Sequence, residues 1–115
     1  NKQLPDYMQI FYTDYDTDDF IEANNPKDVD LEKAINSFYD LTDSKDNFWG
    51  IITPNNLKLQ FLFISTDKWL ADIPDAERRG SYQKHLTYNE CIVLIKYVYN
   101  DTDWKIPGDF VFNPW

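Results

Sequence analysis

Between Phe48 and Leu86 the chain carries four runs rich in strand-forming side chains, and this stretch restricts the fold more than any other. They are Phe48–Thr53, Leu57–Ile64, Lys68–Ile73 and Ser81–Leu86. Pro54-Asn55-Asn56 supplies a tight turn and Pro74 to Gly80 a loop. Short runs joined by short breaks pair with their sequence neighbours, so the spacing predicts an antiparallel meander. In the second run Leu57, Leu59, Phe61 and Phe63 share one face, and Lys58, Gln60, Leu62 and Ile64 the other. Both faces end apolar, which predicts a C-terminal half covered on both sides. In the third run Trp69, Ala71 and Ile73 face one way, Leu70 and Asp72 the other.

Around the meander the pattern changes period. Tyr7 to Tyr12 reads as a first strand and residues 14–25 as an acidic loop. A helix follows, with Asn25 or Asp28 as its cap and Pro26 suited to its first position. Its stripe is Leu31, Ala34, Ile35, Phe38 and Leu41, and Thr42-Asp43-Ser44 ends it. The clearest local signal is Thr87-Tyr88-Asn89-Glu90, a capping box in which the first and last residues each satisfy the other's backbone amide. Cys91, Leu94, Ile95 and Val98 form the stripe behind it. The tail 101–115 holds the alternating Phe110-Val111-Phe112, suited to a short edge strand. The expected architecture is α+β: one antiparallel meander sheet against two helices, in the order β-α-β-β-β-β-α, as a single domain spanning 1–115.

Composition limits the function. Hydrophobic residues make up 43% of the 115 and aromatics 17%, far above a disordered acidic tail. A net charge of -9 excludes nucleic acid and anionic membrane as natural partners and favours cationic proteins. No stretch reaches the roughly 18 apolar residues of a membrane span. No signal-peptide pattern is visible, and a single cysteine, Cys91, points to a reducing compartment, so a cytoplasmic protein is expected.

The functional candidate is a run of carboxylates: Asp14, Asp16, Asp18, Asp19 and Glu22. Asp14, Asp16 and Asp18 fall at positions one, three and five of a calcium loop, with Glu22 at nine. Asp19 stands where that loop needs Gly, and Asn25 where it needs a bidentate Glu, so no metal is expected. The remaining readings are a solvated loop that serves solubility and a patch that docks a basic partner. Aromatics interleave with the acids. Phe11 and Phe20 read as core, and Tyr15, between two Asp, as an exposed anchor. Trp69 and Asp72 form a second candidate surface, although only one of them can face a partner.

Nothing else resembles catalytic machinery. His85 is the only histidine, so it has no second His for a metal site or a relay. Cys91 falls on a buried helix face. Asp43, Asp46, Asp72 and Asp75 are carboxylates without a specific spacing. Gly50, Gly80 and Gly108 are too far apart for a phosphate loop. The expectation is a protein without cofactor or catalysis that binds something basic, such as a small adaptor for a basic protein or peptide.

The layout resembles the small immunity proteins of bacterial polymorphic toxin and contact-dependent inhibition systems. The residues that carry the likeness are the Asn25-Pro26 lead into a helix reaching Ala34-Ile35, Phe48-Trp49, Leu57 to Phe61, Glu90-Cys91-Ile92 and the terminal Trp115. The likeness begins at Asn24, so the acidic run lies outside it. It implies a cytoplasmic inhibitor that occludes the active site of one cognate toxin domain. Such toxins are often basic.

Overall fold

The computed structural model describes residues 6–115, so the first five residues of the expected 1–115 domain lie outside it. Ten elements follow in order: β1 (Met8–Asp14), β2 (Asp19–Ile21), β3 (Lys27–Val29), α1 (Leu31–Tyr39), β4 (Phe48–Ile52), β5 (Lys58–Ser65), β6 (Lys68–Asp75), β7 (Gly80–Leu86), α2 (Tyr88–Tyr99) and β8 (Val111–Pro114). The fold is α+β. One antiparallel sheet runs β2-β1-β4-β5-β6-β7-β8, with β3 paired to the first half of β1 on the same side as β2. The meander and the edge strand of the tail are as the sequence predicts.

One stretch of the expected acidic loop, and the stretch expected to open the helix, are strands. Asp19–Ile21 folds back on Tyr12–Asp14 as a hairpin, and Lys27–Val29 pairs with Met8–Ile10. The second pairing moves the helix start. Neither Asn25 nor Asp28 caps α1. Asp30 does, its carboxylate accepting from the Lys33 amide at 2.8 Å. Val29 explains the shift: it is buried in the sheet, and its carbonyl accepts from the Tyr99 hydroxyl at 2.8 Å. Strand β6 runs on through Pro74 and Asp75, past the expected loop start. Pairing to β5 stops at Asp72, so the proline's missing N–H falls where no neighbouring strand needs it.

Both helices cover one face of the sheet. The core joins Ile10, Trp49, Ile51, Leu59, Phe61, Trp69, Ala71 and Ile73 from the strands to Ala34, Phe38, Cys91, Ile95 and Val98 from the helices. Phe38 is its hub, with ring centroids of Trp69 at 4.8 Å, Tyr88 at 5.2 Å, Phe61 at 5.5 Å and Trp49 at 5.8 Å. The buried indole N–H of Trp49 donates to Ser37 Oγ at 2.8 Å. The capping box of α2 forms in both directions, between Thr87 and Glu90.

The other face is uncovered, which corrects the expectation for β5. Leu62 and Ile64 are exposed. Phe11 lies on this outer face yet is buried, because its ring folds over Gly50. A Cβ at Gly50 would stand 2.0 Å from Phe11 Cζ. Phe48 and the ammonium of Lys58 flank the same ring.

Candidate functional site

The topology gathers an excess of acidic side chains at one end of the sheet. There β1 ends, β4 and β6 begin, β5 and β7 end, α1 stops and α2 starts. The connections at this end carry Asp16, Asp18, Asp40, Asp43, Asp46 and Asp67, with Asp19 at the first position of β2. Lys45 and Lys68 are the neighbouring cations. Three of the turns place an Asp at left-handed φ: Asp18 at 60°, Asp46 at 72° and Asp67 at 57°.

The predicted site residues divide. Tyr15, Asp16, Asp18, Asp19 and Glu22 are exposed on or beside the β1–β2 hairpin. Asp19 accepts from the Tyr12 hydroxyl at 3.0 Å. Burial, and then that bond, push the Tyr12 phenol up to about 12. Phe20 was expected in the core but is 57% exposed, because its register opposite Thr13 turns it to the uncovered face. It continues there into a row with Phe48, Leu62 and Leu70.

Three predicted contact residues are buried. Trp69 is buried against Phe38 in the core. Asp72 faces outward but is closed in by Gln60 and Gln83, whose side-chain amides donate to its two oxygens at 3.3 and 2.7 Å. Asp14 is 2% exposed and structural. Its carboxylate accepts from the Thr42 amide (2.9 Å), the Thr42 hydroxyl (2.8 Å), Asn47 Nδ2 (3.1 Å) and the amides of Asp16 (3.0 Å) and Thr17 (3.3 Å). Burial pushes this carboxyl upward. The bonds from Thr42, Asp16 and Asn47 outweigh it and hold the group at about 2, below the ordinary 3.8. Asp14 thereby ties the base of the hairpin to the loop after α1.

Among the described residues no three His, Cys, Asp or Glu side chains are placed to share a metal ion. His85 is exposed on β7. Cys91 is buried, and desolvation pushes its thiol well above the ordinary range, so it is a poor nucleophile. A groove of about 670 Å³ lies apart from the β1–β2 hairpin. It runs between α2 and the tail, over Leu94, Trp104 and Phe110, with the Lys84–Asp109 ion pair at its rim. Among the described residues no helix is long and apolar enough to cross a membrane. No family model, curated protein or solved structure matches this chain.

Sequence reasoning missed the contribution of Tyr39, Asp67 and Tyr88, which stand at this same end. They come from α1, the β5–β6 turn and α2, and no linear spacing connects them.

Proposed function

We propose that this chain is a non-enzymatic, cytoplasmic immunity protein that docks a basic toxin domain with the acidic end of its sheet. The observation that carries the reading is the pairing of exposed carboxylates with exposed aromatics on one rigid hairpin: Asp16, Asp18 and Asp19 beside Tyr15 and Phe20. The carboxylates steer a cationic surface and pair with its Arg and Lys side chains. The aromatic rings, and the apolar row that continues from Phe20, supply contact area that excludes water. Inhibition is then steric, through occlusion of the toxin's cleft. The net charge of -9 supports the same direction of recognition.

The test is surface plasmon resonance against the toxin domain encoded beside this gene, at two salt concentrations. Replacing Asp16, Asp18 and Asp19 together with Asn should slow association by about tenfold at low salt and flatten its salt dependence. Tyr15→Ala should instead speed dissociation. An unchanged association rate for the triple variant would return the run to a solubility role. Binding only to unrelated basic peptides would favour the adaptor alternative.

A further inference from the structure

Between the end of α1 and the start of α2, at the acidic end, lies a cavity of about 310 Å³. Aromatic rings build it. Phe38 and Trp69 form the floor, 4.8 Å apart. Tyr88 lies nearly parallel to Phe38, at 12° and 5.2 Å, and Tyr39, exposed at the last position of α1, forms the outer wall. Leu41, Thr66 and two carboxylates, Asp43 and Asp67, complete the lining, and no Lys or Arg enters it.

Both carboxylates are positioned by the fold. Asp67 sits at left-handed φ in the β5–β6 turn, and its Oδ1 accepts from the Tyr88 amide at 2.9 Å. Its second oxygen takes no hydrogen bond among the described residues. Asp43 follows Thr42, whose amide and hydroxyl are bound to buried Asp14. The buried Asp14 network therefore anchors the backbone next to Asp43.

The chemistry of the lining selects a cation. The accessible tyrosine rings and the carboxylates both present negative potential to this open pocket. An anion would be repelled, and a neutral apolar group would strip water from two carboxylates without pairing them. A guanidinium satisfies both components, because it stacks flat on aromatic faces and donates in parallel to carboxylate oxygens. An ammonium matches the charge but not the planar stacking. We propose that the cavity among Phe38, Tyr39, Trp69 and Tyr88 receives an arginine side chain, whose guanidinium pairs with Asp43 and Asp67. The proposal rests on the reading that the acidic end docks a basic protein, and it names the side chain that anchors that protein.

The probe is N-acetyl-arginine amide, titrated into the isotopically labelled protein and followed by NMR, with the matching citrulline derivative as a neutral isostere. Saturable shifts are expected at the backbone amides of Asp67 and Tyr88 and at the Trp69 indole. Citrulline should bind about tenfold more weakly, or less, as expected when one charged pairing worth about 1.4 kcal/mol is lost. Asp43→Asn combined with Asp67→Asn should weaken arginine binding by a similar factor. The second change keeps an oxygen for the Tyr88 amide. Absence of saturable shifts, shifts that map elsewhere, or citrulline binding as well as arginine would overturn the proposal. Blocked arginine is too small to reach the β1–β2 hairpin. Its failure would refute the cavity's role alone, and failure of the triple hairpin variant would refute the docking reading alone.

Discussion

Asp14→Asn tests the reassignment of that residue from contact surface to structural keystone. Every group that faces its carboxylate is acting as a donor, and the Thr42 amide binds its second oxygen. An Asn side chain must turn an NH₂ group toward one of them, leaving a buried donor unpaired at about 1–3 kcal/mol. The same bonds, read through the carboxyl's proton affinity, give a similar figure. The carboxyl titrates at about 2 instead of 3.8. At about 1.4 kcal/mol per pH unit, this contributes roughly 2 kcal/mol to the folded state. The folded value is depressed, so the contribution is complete above pH 3.8 and is lost as pH falls through about 2. Urea unfolding of both proteins from pH 7 down to pH 2 is the assay, and the difference between them is the quantity to follow. The other carboxylates titrate in both proteins and largely cancel in that difference. The variant should be less stable by roughly 2 kcal/mol at pH 5 and above, with the gap closing as pH falls from about 4 toward 2. A gap that is absent at pH 7, or constant across this range, would refute the assignment.

Gly50→Ala drives a Cβ into the Phe11 ring and should cost about 1–3 kcal/mol through overpacking, read as a lower urea midpoint with an unchanged slope. Thr87→Ala removes the capping box and should cost about 0.5–2 kcal/mol. Leu94→Ala, in the buried stripe of α2, should cost about 2–5 kcal/mol, so the two losses in denaturant melts must fall in that order. Asp18→Gly relieves a left-handed φ and should leave stability unchanged or raise it by up to about 1 kcal/mol, checked by thermal melting.

The parts of the fold that were legible in the sequence are those with a local cause. The meander follows from alternation within runs, and the capping box from two side chains three residues apart. The misreadings share a non-local cause. Lys27–Val29 looks like a helix entry after Pro26 and becomes a strand only because the first half of β1 offers an unpaired edge. Leu62 and Ile64 look doubly buried because their apolar character is visible, whereas the placement of both helices on one face is not. Asp14 and Asp16 are chemically identical in the sequence. One is buried because Thr42 and Asn47, about thirty residues away, supply its donors. The cavity at the acidic end draws on three separate segments, so no short window of sequence contains it.

The left-handed turn positions bear on why acids concentrate at this end. Glycine adopts such a backbone without steric cost, and Asn is the next natural choice. At the opposite end the chain uses Asn56 in the β4–β5 turn and Arg79 in the β6–β7 turn. At the acidic end all three positions are Asp, each adding a negative charge beside others of the same sign. Like-charge repulsion and a strained φ both lower stability there, and a glycine would remove both. Of the three, Asp67 helps the fold by binding the Tyr88 amide, which repays part of that cost. For Asp18 and Asp46 no side-chain hydrogen bond among the described residues offsets the strain. Under the docking proposal these two carboxylates add attraction for a cationic surface at a cost in stability, so replacing either with Gly should raise stability and weaken binding together.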